Sequence, residues 1–98
     1  MTQLVDRDIL GEIASMVAEA LQIDRTDLTP ESRLILDLGA ESIDFIDVQF
    51  RLEQKYDLVI EEGDIIAHIG AELTADDIAE QFTIQSIVDF IQFRLHAR

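Results

Sequence analysis

The residues best placed to do chemistry lie in one short run, Leu36-Asp37-Leu38-Gly39-Ala40-Glu41-Ser42-Ile43-Asp44. The run puts a single hydroxyl, that of Ser42, just behind a glycine and at the start of a helical pattern, with carboxylates on both sides. Serine at a helix start most often serves only as an N-cap that satisfies an orphan amide. The same position also suits a modified serine, because a phosphodiester there meets the positive end of the helix dipole and unpaired amides. Catalysis fits less well. A nucleophile needs a base within hydrogen-bond reach, itself held by a third group. His68 and His96 are the only histidines, neither is spaced to serve Ser42, and both read as ordinary surface residues. Acid pairs such as Asp76-Asp77 and Glu61-Glu62 arise by chance among 21 acids and read as a solvated face. No calcium-loop spacing, zinc cluster or phosphate-cradling glycine loop is present. The chain has no cysteine, so thiolate chemistry and disulfides are excluded.

The elements that must position Ser42 are helical. At 100° per residue, Phe45, Val48, Leu52 and Tyr56 share one face of a helix running from Ser42 to Tyr56, the spacing of a core stripe. Ile43, Ile46 and Phe50 point elsewhere, beside Asp44 and Asp47. Three exposed apolar residues next to two aspartates read as a docking surface. Upstream, Ile9, Ile13, Val17 and Ala20, backed by Leu10 and Leu21, form a stripe with Asp6 as its expected N-cap. Thr29-Pro30 predicts a short helical turn inside the long loop that follows. Leu34, Ile35, Leu36 and Leu38 are expected to anchor that loop to the core. Downstream, Thr74-Ala75-Asp76-Asp77 resembles a capping box opening a short helix to about Gln81. Thr83 is expected to cap a last helix with core positions Ile84, Ile87, Val88, Ile91 and Leu95, its apolar face widened by Phe90 and Phe93. Residues 57–73 stay open between loop and helix. Glycines bracket Asp64–Ile69, which has room for one and a half helical turns, and its isoleucines must be buried somewhere. The expected fold class is all-α, a small bundle of three main helices plus one short helix, with residues 1–98 as one domain.

Almost half of the 98 residues are hydrophobic, which argues against disorder. The formal charge of −14 is spread along the chain, with 11 acids and 3 bases in residues 1–49 and 10 acids and 4 bases in residues 50–98. Such a field repels nucleic acid and anionic lipid and steers basic protein surfaces inward. With no secretory leader pattern and no apolar run of membrane-spanning length, the expectation is a cytoplasmic monomer without stable membrane insertion.

From Leu36 to Tyr56 the chain resembles the acyl carrier proteins, whose signature is D-L-G-x-D-S-L-D followed by an amphipathic helix. Asp37, Leu38, Gly39, Ser42 and Asp44 match it, while Glu41 and Ile43 replace the usual aspartate and leucine and keep charge and apolarity. The likeness continues at Leu52-Glu53, Tyr56-Asp57 and Thr83-Ile84-Gln85. It lapses over residues 60–73, where this chain spends more than a dozen additional residues.

The resemblance implies a carrier that is not itself an enzyme. Ser42 would bear phosphopantetheine, attached by a holo-synthase (a phosphopantetheinyl transferase), and the cofactor thiol would hold an acyl group as a thioester. Ile43, Ile46 and Phe50 would contact partner enzymes. Asp37, Glu41, Asp44, Asp47 and Glu53 would meet the basic docking surfaces of acyl synthases and acyltransferases. The acyl chain would run between the helices among Val48, Leu52, Ile84, Val88 and Ile91, with Ile65, Ile66 and Ile69 as a mobile wall. Family members handling unusually long chains also carry extra sequence between their second and third helices, which points to a specialised lipid or fatty acid pathway. The alternatives are a peptidyl or polyketide carrier, or an unmodified helical interaction domain.

Overall fold

The computed structural model describes residues 8–61, 63–70 and 74–97. Five α-helices run through these residues: α1 (Ile9–Leu21), α2 (Ser42–Tyr56), α3 (Asp64–Gly70), α4 (Ala75–Gln81) and α5 (Ile84–His96). The three long helices agree with the expected bundle, but two short helices rather than one stand between α2 and α5. The added one, α3, forms over Asp64–Gly70 within the open segment, of which Glu62 and residues 71–73 lie outside the described residues. The Asp64 carboxylate accepts the Glu61 N–H at 2.7 Å and so starts the helix. Ile65, Ile66 and Ile69 then fall at helical spacing, half-buried against the core.

Caps mark most of the other boundaries. Asp8 opens α1 by accepting the Gly11 N–H at 2.8 Å; the expected cap, Asp6, lies outside the described residues. Thr74 and Asp77 exchange bonds at the head of α4, at 3.1 and 3.3 Å. Thr83 and Ser86 do the same at the head of α5, at 3.1 and 3.0 Å. These are capping boxes in which each side chain satisfies an amide that the first helical turn leaves free. The turn of helix expected at Thr29-Pro30 forms instead at Arg25–Asp27, as a 3₁₀ turn capped by Asp24. Asp24 accepts both the Thr26 N–H and the Thr26 hydroxyl, which makes it the better local cap. Thr29–Ser32 is a plain turn, closed by the Ser32 N–H on the Thr29 carbonyl.

One hydrophobic cluster holds the helices together. α1 packs on both α2 and α5, while α3 packs on α5 and α4. Ile13, Val17, Leu52, Ile84, Ile87 and Ile91 are fully enclosed. Burying such a side chain stabilises the fold by about 1.5–3 kcal/mol. Tyr56 is buried too, and its hydroxyl donates to the Glu12 carboxylate at 2.7 Å, tying the end of α2 to α1. Two positions differ from the expected core. Phe93 is 56% exposed on α5, because one face of that helix stays open, and Leu36 is 50% exposed. Of the four expected anchors of the long loop Leu34 is fully buried and Ile35 and Leu38 are half-buried, and Leu28 is buried as well. The loop backbone docks on the start of α5: Leu34 N–H donates to the Phe82 carbonyl at 2.9 Å, and Ile84 N–H to the Ser32 carbonyl at 3.1 Å.

Candidate functional site

Ser42 is exposed and is the first residue of α2, one position inside the cap. Capping falls to its neighbours, since the Glu41 N–H donates to the Asp44 carboxylate at 2.8 Å. Among the described residues the Ser42 hydroxyl takes no hydrogen-bond partner, so it is not consumed as a cap. The loop before it is closed tightly. The Ala40 N–H returns to the Leu34 carbonyl at 2.8 Å, and Gly39 turns the chain at φ +70°, where a side chain would be strained. Arg33 grips Asp37 in a two-pronged pair and also reaches Glu80 on α4 at 3.0 Å. That pair, chiefly through the hydrogen bond from Arg33, holds the Asp37 carboxyl below the usual aspartate range.

The other acids around Ser42 are also engaged within the molecule. Asp47 accepts from Arg51 at 2.8 Å, and Arg51 spans to Glu19 on α1 at 3.1 Å. Glu53 accepts the Ile60 N–H at 2.9 Å, and Gln49 donates its amide to the Ile60 carbonyl at 2.8 Å. With Arg94 donating to the Val59 carbonyl at 2.8 Å, these bonds pin the loop after α2. The three apolar residues of α2 stand free: Ile43 is 71%, Ile46 69% and Phe50 58% exposed. Half-exposed Leu36 is a further apolar residue on the loop before Ser42.

Beside Ser42 a cavity of about 390 Å³ opens between α2 and the two short helices. Ser42, Ile46, Gln49 and Val48 line it from α2, Ile65 and Ile66 from α3, and Ile78 from α4. Phe45 and Phe82 also line it, stacked with ring centroids 5.2 Å apart. The wall differs from the expected one. Val48, Ile65 and Ile66 are in it, but Leu52, Ile84, Val88 and Ile91 are closed into the core, and Ile69 packs against that core instead. The reason is geometric. Leu52 lies ten residues, about 15 Å, down the helix from Ser42, in a core that α1 covers from both α2 and α5. On α5, Ile87 borders the space.

Neither histidine borders this space. His68 packs against Phe90 and Phe93, with centroids 5.7 and 5.1 Å away, and His96 is exposed at the end of α5. Sequence reasoning missed Phe45 as cavity wall because its helical spacing marks it as core. It missed Ile78 and Phe82 because only the fold brings α4 opposite α2. Arg33 and Arg51 carried no signal beyond their sign, although i, i+4 spacing to Asp37 and from Asp47 was legible.

The arrangement offers one exposed hydroxyl at a helix N-terminus, beside an apolar space and an apolar outer surface. It suits covalent attachment of a group and shelter of its apolar end. Residues 11–69 match the family model described as the phosphopantetheine attachment site. An acyl carrier protein of Cyanidioschyzon merolae is 32% identical over 90% of this chain and 82% of its own length. One from Helicobacter pylori is 34% identical over 63% of this chain and 82% of its own length. Acyl carrier protein AcpXL of Rhizobium etli is 41% identical over 50% of this chain and 53% of its own length.

Proposed function

The chain belongs to the phosphopantetheine-binding acyl carrier proteins, which are carriers and not enzymes, and from that premise we propose that Ser42 is the attachment residue. The observation that carries the reading is an exposed Ser42 hydroxyl, without a hydrogen-bond partner among the described residues, at the rim of an apolar cavity. The residues fit the group. The first turn of α2 presents the positive end of a 15-residue helix to a phosphodiester on Ser42. When bound, phosphopantetheine supplies a thiol on a flexible arm that carries an acyl group as a thioester.

The rest is the work of this chain. Glu41 and Asp44 hold the helix start, leaving the serine hydroxyl free for a phosphopantetheinyl transferase. Gly39 and the Arg33–Asp37 pair fix the loop that presents it. Phe45, Val48, Ile65, Ile66, Ile78 and Phe82 offer an acyl tail an apolar shelter, at roughly 0.8 kcal/mol per buried CH₂. Ile43, Ile46 and Phe50 supply the outer apolar contact for synthases and acyltransferases, and the acidic field of the chain steers their basic surfaces. A specialised lipid or fatty acid pathway is supported by α3, an additional helix that contributes two isoleucines to the shelter. The cytoplasm, where coenzyme A is the arm donor, is the proposed setting.

The test is to treat the protein with a phosphopantetheinyl transferase and coenzyme A and to read intact mass. Wild type gains one phosphopantetheine and Ser42→Ala gains none. Loading of the alanine variant at the wild-type rate overturns the assignment of Ser42. An unmodified wild type overturns the proposed function.

A further inference from the structure

We propose that Gln49 is a specificity residue: it supplies the cavity with a hydrogen-bond acceptor that selects an occupant bearing a hydroxyl or amide N–H donor. This rests on the carrier reading above. Gln49 lies seven residues after Ser42 on the same helix. Two turns bring it to nearly the same face, about 10 Å along the axis, where its half-buried side chain lines the cavity.

The orientation of its amide is determined. Nε2 donates to the Ile60 carbonyl at 2.8 Å. A carbonyl oxygen only accepts, so the NH₂ group must face Ile60, and Oε1 faces away from it. Oε1 takes no hydrogen bond among the described residues. No sealed side-chain polar atom among them lacks a partner, so Oε1 keeps access to solvent or to the cavity space.

The surroundings make that acceptor selective. Past the rim the wall is Phe45, Val48, Ile65, Ile66 and Ile78, all apolar. A plain hydrocarbon filling the space strips water from Oε1 and returns nothing, whereas an occupant with a donor restores the bond. The donor has two sources of the same chemistry: a hydroxyl on the acyl chain or an amide N–H of the phosphopantetheine arm.

The experiment uses the full chain in four states verified by intact mass: unloaded, carrying the bare arm, carrying a straight acyl chain, and carrying a 3-hydroxyacyl chain of equal length. Each is melted as wild type, Gln49→Met and Gln49→Lys. Methionine keeps the length and removes the acceptor. Lysine keeps a donor for the Ile60 carbonyl and removes the acceptor. The melting temperature of the hydroxyacyl form relative to the acyl form is expected to fall by about 4–8 °C in both variants. If the donor is on the arm, the same fall appears between the bare-arm and unloaded forms. A lysine variant with both wild-type differences reduces Gln49 to a loop clamp and overturns the inference, as do differences unchanged in both variants. A chain that accepts no arm overturns the carrier reading and this inference with it, and intact mass reads that outcome separately.

Discussion

Arg33 holds Asp37 with one edge of its guanidinium, Nε on Oδ2 at 3.1 Å and Nη2 on Oδ1 at 3.0 Å, while its backbone N–H meets the same carboxylate at 2.8 Å. The pair closes the loop that delivers Ser42, and the same Arg33 fastens that loop to Glu80 of α4.

The pair has a pH signature. Asp37 is depressed below its ordinary value first by the side-chain hydrogen bond from Arg33, and Asp24 first by the Thr26 backbone amide. A depressed carboxyl contributes stability that is present above the unfolded value, about 4, and is lost as pH falls through the lower folded value. Wild-type stability in urea is therefore expected to hold at neutral pH and decline from about pH 4 downward. Asp37→Asn should be less stable at pH 7 and show a shallower decline in acid. Parallel curves for the two proteins would contradict the role given to Asp37. Both side chains are more than a third exposed, so high salt should shrink the difference.

Tyr56 makes its bond to Glu12 from a buried position, 2% exposed. Tyr56→Phe leaves the ring packed and removes the hydroxyl. A loss of about 1–2 kcal/mol is expected in denaturant melts, with helical circular dichroism unchanged. A variant as stable as wild type would show that solvent serves Glu12 equally well.

On the outer face of α2, Asp47 both adds negative charge and restrains Arg51. Asp47→Lys removes the acid and leaves the guanidinium beside a like charge. Loading by a phosphopantetheinyl transferase should slow several-fold at low salt and recover toward wild type at high salt, since the effect is on encounter. Equal rates at low salt would move the docking surface away from this face.

The wall that α3 contributes should respond to the acyl chain. Ile65 and Ile66 line the cavity, and Ile69 packs on the core instead. Hydrogen exchange across Asp64–Gly70 should slow as the chain is lengthened, because each added CH₂ contacts these side chains. Ile66→Ala should cost about 1–2 kcal/mol in the unloaded protein, less than a core truncation because the residue is half-buried, and should remove most of the length dependence. Protection equal at all lengths would assign α3 to packing.

Much of this protein is determined by residues a few positions apart, and that part is legible in the chain. Thr74 with Asp77 and Thr83 with Ser86 close their boxes over three residues, and the caps place the starts of α4 and α5 where the spacing predicts. Helical periodicity separates Val48, Leu52 and Tyr56 from Ile43, Ile46 and Phe50, because 100° per residue is a local property. The motif around Ser42 is legible for the same reason.

What the tertiary structure alone decided are pairings between distant residues: Arg33 with Glu80, 47 positions apart, Tyr56 with Glu12, 44 apart, and Arg51 with Glu19, 32 apart. Sign and spacing cannot rank these against the other acids of so acidic a chain. The same holds for the cavity. Leu52 and Val48 share a stripe, yet only Val48 borders the space, because that depends on where α3 and α4 close against α2. Val59 and Ile60 show no strong local preference, and their conformation follows from Gln49, Glu53 and Arg94 binding their backbone. A backbone that earns its hydrogen bonds from remote side chains leaves no periodic trace in its own sequence.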